Sequence, residues 1–586
     1  MMQKEVYEFI SKKTNDPIIE RRTCRVNGEE FAITQKDKEF YEKISPTFDK
    51  KKFHLPYPTL SPEERSRRRL LFKNDRSLHR GTCWLTWASI ITIYNPELHT
   101  EIYNIKDRWS DKRDPLEYGH TWDESQSFLS QYFSLQEAVP KIAMVNDNGI
   151  GSENCEYTQD VAYAKNCYLT VVAWKIENAH YSSNMAGGRW LIDNFFVMDS
   201  ENCYECVDSY NLHTCFRLKD SSNSHGCWFG VDLIWCKDCL LCLWLQNQQY
   251  CIMNKQYTKE EYERHKQQFQ KDVLHDVTSI KQRFDHFVQQ FPKKAMHIIR
   301  ADDVSYGTNL VNAENAIYCY NIKNVKDCRY CAFGDTMTKS YDLTVWGEPE
   351  WCYEWLVPDN SYRTCFTIFC RSCTNVWYSE MCHHCQDCFG CVGLKNQKYC
   401  ILNKQYTKET YEETVAIIIE SMIEDESRWE FFPPIYTPFG YNETNASEYF
   451  PLEKEEIVSN GYRWYERDKE VDVPDEIEML TSDIIKKYNS KGEKPIDILD
   501  KAIIGEISWR PFKMIPQEIE FYTKYGLPLP TKHSDTRVLE RVVSMPQKIL
   551  YLRACDKTGE EILSVYPPNT SFKVYSEEVY RQEMYG

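Results

Sequence analysis

Cys203, Cys215, Cys227, Cys239 and Cys251 stand twelve residues apart, and no other feature restricts the fold of this chain so tightly. Stepping back at the same interval reaches Leu191, Ala179, Cys167 and Cys155, so the whole column is apolar. A period of twelve is too short for a helix pair and fits no heptad. It fits one turn of a narrow β-solenoid, with three short faces joined by corners and neighbouring turns stacked at about 4.8 Å. So narrow a bore admits only small side chains, which suits Cys, Ala, Ser and Thr. The residue before the column is often Asn, Asp or Gly (Asn154, Asn166, Asn178, Asn202, Gly226, Asp238), types suited to a left-handed corner. The residue after it is often aromatic, at Tyr168, Tyr204, Phe216 and Trp228, and would point outward. These signals predict a solenoid over residues 155–251. Cys328, Cys352, Cys388 and Cys400 predict a second over about 316–400, with small slips between them. A pair of irregular zinc-knuckle domains is the competing reading.

The short period lies inside a longer repeat. Residues 236–263 (CKDCLLCLWLQNQQYCIMNKQYTKEEYE) match residues 385–412 at an offset of 149 without a gap. Further back, residues 152–168 match residues 313–329 at an offset of 161. Each module ends in a predicted helix. Thr258 and Glu261 form a capping box, and Val273, Val277, Ile280, Phe284, Phe287 and Phe291 recur at helical spacing up to Pro292. A second duplication flanks the modules: residues 24–41 match 505–522, LPYPT at Leu55 matches LPLPT at Leu527, and the segment ending at Tyr94 matches the one ending at Tyr566. In these segments Cys24-x-x-Asn27-Gly28, Cys83-x-x-Thr86 and Cys555-x-x-Thr558-Gly559 each look like half of a CxxCG zinc knuckle, and Gly505-x-x-Ser508 has neither cysteine. A lone thiolate cannot build a tetrahedral site, so both segments are expected to lack metal.

The expected fold is therefore mixed and β-rich: two 12-residue-period β-solenoid modules, each ending in a helix, flanked by two degenerate zinc-ribbon-like domains. The predicted boundaries are 1–120, 121–292, 293–430, a connector over 431–500, and 501–586. The formal charge of −17 argues against a general affinity for nucleic acid or anionic membranes. The N-terminal MMQKEVYEFISKKTND has no signal-peptide core, and no apolar run approaches the ~18 residues of a spanning helix. The expectation is a cytoplasmic protein without a membrane segment, its 25 cysteines being thiols or metal ligands rather than disulfides.

Three groups of residues could carry chemistry. CxxCxxC occurs at Cys236, Cys239 and Cys242 and again at Cys385, Cys388 and Cys391, the latter extended by Cys382. Such spacing can hold zinc or an iron–sulfur cluster, but thiols on one face of a solenoid also serve as small core residues, and packing is the favoured reading. The basic run at residues 65–80, with Arg67, Arg68, Arg69, Lys73 and Arg76, could contact phosphate. The plainer reading is a solvated helix face that balances nearby acid. Tyr168, Tyr204, Phe216 and Trp228 could form an interaction surface. No GxGxxG, P-loop, GxSxG, HExxH or EF-hand pattern proposes an enzyme.

The 107–119 segment DRWSDKRDPLEYG, the KNCY coils, the NKQYTKEEYE terminators and TPFGYNETNA at residues 437–446 together resemble uncharacterised cysteine-rich, zinc-ribbon-containing proteins of small-genome uncultured bacteria. In that family the ribbon pattern is C-x-x-C-G, then P-x-C-P-x-C-R, then V-Y-C-x-x-C. Here Asn27, Thr86 and Thr558 stand where second cysteines would fall, Ser61 and Glu64 take the CPxC places, and Asn104/Asp107 and Ser576/Val579 fill the last pairs. The resemblance implies a fold and brings no established activity. The expected function is a non-catalytic scaffold for a macromolecular partner, protein favoured over RNA. An RNA- or ribosome-associated protein using the basic run, and a metal-binding or thiol-redox protein using the CxxCxxC runs, are the alternatives. No cofactor is expected, with zinc left open only in those runs.

Overall fold

A left-handed residue turns an extended chain through a corner, and in this chain such residues recur every third position. A computed structural model describes residues 4–110, 113–145, 151–302, 304–344, 347, 351–357, 360–424, 429–466, 473–546 and 548–585. Asp111 and Lys112 of the 107–119 segment lie outside them. Asn202, Glu205, Asp208 and Asn211 have φ of 56°, 51°, 49° and 51°, and Thr214 opens the next set at 54°. Twelve residues therefore contain four corners, not the three faces expected from the sequence. Each triplet holds a corner residue, an inward residue and an outward one.

The inward positions Cys203, Cys206, Ser209 and Leu212 are all buried. Cys236, Cys239 and Cys242 are three consecutive inward positions of this kind, which accounts for their CxxCxxC spacing. The thiol suits the bore because its weak donor reaches backbone carbonyls: Cys206 Sγ lies 3.7 Å from Tyr204 O and 3.4 Å from Cys215 O. At the corners, Asn166 receives the amide of Asn154 and donates its own to Asn178, both at 3.1 Å.

Successive twelve-residue rungs pair in parallel. In one sheet Cys155 pairs with Cys167, Ala179 with Leu191, Leu191 with Cys203, and Cys239 with Cys251. In the other, Tyr320 pairs with Ala332, Tyr353 with Cys365, and Cys388 with Cys400. The second stack keeps the period without the expected slips, because Ser340, Thr364 and Val376 simply replace cysteine in the column. Short antiparallel strands, Lys255–Gln256 and Lys404–Gln405, close the two sheets.

The capping box forms as expected, with Thr258 Oγ1 accepting the Glu261 N–H, and opens the helix Lys259–Gln289. That helix breaks at Asp276 (φ −153°, ψ 76°), whose Oδ1 accepts the Ser279 N–H at 3.0 Å and starts a second segment. The corresponding helix after the second stack is Lys408–Glu424.

The flanking segments dock crosswise. The N-terminal helix Pro62–Leu70 lies on the second stack, where Arg65 Nε and Arg69 NH1 reach Asp342 Oδ1 at 2.9 and 3.3 Å. The C-terminal helix Ser534–Val543 lies on the first stack, where Arg537 and Arg541 bind Asp193, the latter at 2.9 Å. Arg65 covers the Tyr330 ring at 5.1 Å, and Arg537 covers Tyr181 at 4.6 Å. Tyr41 meets Tyr353 and Tyr522 meets Tyr204 edge to face, at 5.2 and 5.6 Å. Every one of these pairs is related to the other by the two duplications, so the chain is two like halves. The offset of 149 holds back to Tyr181 and Tyr330. The match at 161 is the same column read one rung out, an error that a stack of like triplets invites.

Candidate functional site

The two halves differ in how much space equivalent residues enclose. In the half made by the N-terminal segment and the second stack, a residual cavity of about 20 Å³ is lined by Phe72, Asn74, Ile93, Tyr94, Ile368, Phe369, Glu380 and Met381. The duplications map these residues onto Ser544, Pro546, Val565, Tyr566, Lys219, Asp220, Val231 and Asp232. All eight line a cleft of about 1300 Å³ in the other half. The small cavity is filled from above by Gln136, on the helix Phe128–Ala138, and by Pro438 and Phe439. The open cleft is roofed at one side by the broken helix, through Leu274, Lys281, Phe284 and Val288. Where the closed half presents Ile368, Phe369 and Met381, the open half presents Lys219, Asp220 and Asp232.

Charge organises the floor. Half-buried Glu205 pairs with Arg217 NH2 at 3.2 Å and Lys281 Nζ at 2.9 Å. Burial pushes its carboxyl up, but the two cations outweigh burial and hold it well below the usual range. His297 Nδ1 donates to Asn309 Oδ1 at 2.9 Å and lies 3.7 Å from Asp220 Oδ1. Behind Asp220, one rung back, Asp208 accepts the Asn321 amide at 2.9 Å, and burial, then Asp220, raise its carboxyl to about 7. Asp232 accepts the hydroxyls of Tyr585 and Tyr580 at 2.6 and 3.2 Å. Lys293 is brought down to about 8 by burial and then by Lys219. Tyr566 and Phe572 meet edge to face at 4.9 Å and make an apolar corner. The cleft thus offers aromatic and charged groups together, as ligand sites do.

Of the candidate residues singled out in the sequence, Tyr204 lines the cleft and the others lie elsewhere. The basic run balances acid, as its plainer reading has it, but from within the core. Arg67 pairs with Glu64, Arg68 with Glu430 at 3.1 Å, Arg69 with Asp342, Lys73 with Asp75, and Arg76 with Glu448 at 2.8 Å. Arg68, Arg69 and Lys73 are buried, so the expected solvated face is absent and these cations are not presented to a phosphate backbone. Tyr204, Phe216 and Trp228 do point outward from the rungs but lie under the chain's own elements. Phe216 packs on Tyr525, and Trp228 on Phe269. Tyr168 continues the column against Tyr181 at 5.7 Å and is half-buried. This column packs the C-terminal segment and the broken helix onto the first stack and is not an open surface.

Cys236, Cys239, Cys242, Cys382, Cys385, Cys388 and Cys391 are buried free thiols in the bores. Among the described residues, no group of three or more His, Cys, Asp or Glu side chains is arranged to hold a metal. In the flanking segments the four turns at Cys24, Cys83, Gly505 and Cys555 are hydrogen-bonded hairpin tips. The Gly28 N–H donates to Cys24 O at 2.9 Å, and that of Gly559 to Cys555 O at 2.8 Å. Cys83 Sγ accepts the Asn104 N–H at 3.4 Å and lies 3.7 Å from Asp107 Oδ2. Among the described residues, no helix is long and apolar enough to cross a membrane.

Sequence reasoning missed the cleft because its lining comes from many separated stretches between residues 204 and 580. A signal was present: reading the copies against each other exposes Lys219, Asp220 and Asp232 as charges that replace apolar residues. Comparison with known proteins finds no matching family model and no matching curated protein.

Proposed function

We propose that this chain is a non-catalytic interaction protein of the cysteine-rich family it resembles, in which two β-solenoids and two degenerate zinc ribbons frame one ligand site, the open cleft. The observation that carries this reading is the contrast between equivalent places, about 20 Å³ in one half and about 1300 Å³ in the other. A duplicated protein needs no such opening for stability, since the closed copy packs the same surfaces together. The buried ion pairs of the basic run favour a protein partner over RNA. The solenoid thiols act as core, without zinc.

The test is to close the cleft with the residues of the other half, Asp220→Phe together with Ser544→Phe. Immobilised wild type and variant are compared for the proteins they retain from an extract of the encoding organism. A set of proteins kept by wild type and lost by the variant supports the reading. Identical sets would end it.

A further inference from the structure

The closed half carries a covalently attached occupant of the site, which indicates what the open half takes. There residues 437–445 run along the end of the helix Pro62–Leu70. Thr437 Oγ1 donates to Leu71 O at 2.6 Å, and the Asn445 N–H donates to Lys73 O at 2.9 Å. Phe439 stacks on Tyr94, with ring centroids 5.4 Å apart and planes at 17°. The counterparts of Leu71 and Tyr94 in the open half are Val543 and Tyr566. Leu71 is 1% exposed, whereas Val543 is 82% exposed and Leu539, one turn earlier, is 49% exposed. The helix end that residues 437–445 cover in one half is bare in the other.

We propose that the open cleft receives an extended segment of a partner protein. It would lie along the end of the helix Ser534–Val543 as residues 437–445 lie along Pro62–Leu70, with an aromatic side chain placed on Tyr566. This rests on the cleft being the ligand site. A volume of about 1300 Å³ exceeds what a drug-sized molecule fills and suits a peptide of several residues. Lys219 and Lys293 face the same space as Asp220 and Asp232, and across the whole lining nine Lys and Arg stand against seven Asp and Glu, so an acidic residue beside the aromatic one completes the match. The mode is that of a peptide whose aromatic anchor fills a pocket while its backbone follows an element of the receptor.

The probes are fluorescein-labelled decapeptide pools with a fixed central Phe or Ala, flanked by Asp/Glu or by Lys/Arg, titrated with the full chain by fluorescence polarisation. The pool with Phe and acidic flanks should bind, with the Ala and basic pools at least tenfold weaker. Tyr566→Ala should weaken binding at least tenfold. So should Val543→Asp, a change at an exposed position that leaves the fold intact. Binding that ignores the central ring, or survives both substitutions, overturns the proposal. If no pool binds while the cleft-closing variant still loses proteins from the extract, the ligand site stands and its occupant is not such a peptide. If both fail, both readings fall.

Discussion

Cys227 shows what one inward position asks of its side chain. It is fully buried, and burial, then hydrogen bonds with Cys215 and Cys239, raises its thiol well above the usual value, so it stays protonated. Cys227→Ala should cost about 1 kcal/mol, the loss of one small buried group. Cys227→Asp should cost several, because a carboxylate in the bore has no counter-charge. Thermal melts with metal content measured on each variant check this. Equal and severe loss with both would mean that the thiol is a ligand. His180 makes a second residue-scale case. It sits where the other half has Arg329, which pairs with Asp16 and Asp37, yet neither His180 nitrogen has a hydrogen-bond partner. Burial lowers its pKa from 6.5 to about 4. The unfolded chain therefore takes up a proton that the folded chain refuses, so stability falls as pH drops from about 6.5 to about 4 and this group adds no further loss below that. The contribution is on the order of 3 kcal/mol. Urea melts across that range should show a steeper acid loss for wild type than for His180→Leu, and parallel curves would refute the assignment.

At the scale of the element, one triplet explains both the twelve-residue column and the CxxCxxC runs. The column was legible because Cys recurs in it. The triplet was not, because its corners accept Tyr163, Lys175 and Trp190 as well as Asn, and because spacing by three among thiols also describes metal ligands. Residue identity marks the inward position, where volume is limiting, more strongly than the corner, where only backbone conformation is. Asn247 isolates that conformation: it is exposed, its φ is 53°, and its N–H still pairs with Ile234 O at 2.9 Å. Asn247→Val should destabilise by about 1–2 kcal/mol through the left-handed backbone alone. Asn247→Gly should change stability by less than about 1 kcal/mol. Chemical denaturation of the two variants measures the difference, and similar costs would mean that the corner is not strained.

The whole molecule is held together by crosswise docking, which no local pattern announced. The duplications were readable, but that the N-terminal segment lies on the second stack and the C-terminal one on the first depends on two buried clusters far apart in sequence. Arg65 and Arg69 meet Asp342, and Arg537 and Arg541 meet Asp193. The same basic helix that suggests phosphate contact in the sequence is thus one half of a docking device whose acid, Asp342, comes from the second stack, 277 residues from Arg65. Asp193 is fully buried, and its two arginines are nearly so. Asp193→Ala leaves both guanidiniums without their counter-charge and should cost about 3–5 kcal/mol. The loss should be local: the helix Ser534–Val543 and the cleft it borders should lose protection from hydrogen exchange, while Pro62–Leu70 keeps its own. Asp342→Ala should do the reverse. If either change strips protection from both helices alike, the halves unfold as one unit and the docking clusters are not separable. If the losses stay apart, each half holds its own terminal segment, and the open cleft can change its contents without disturbing the closed one.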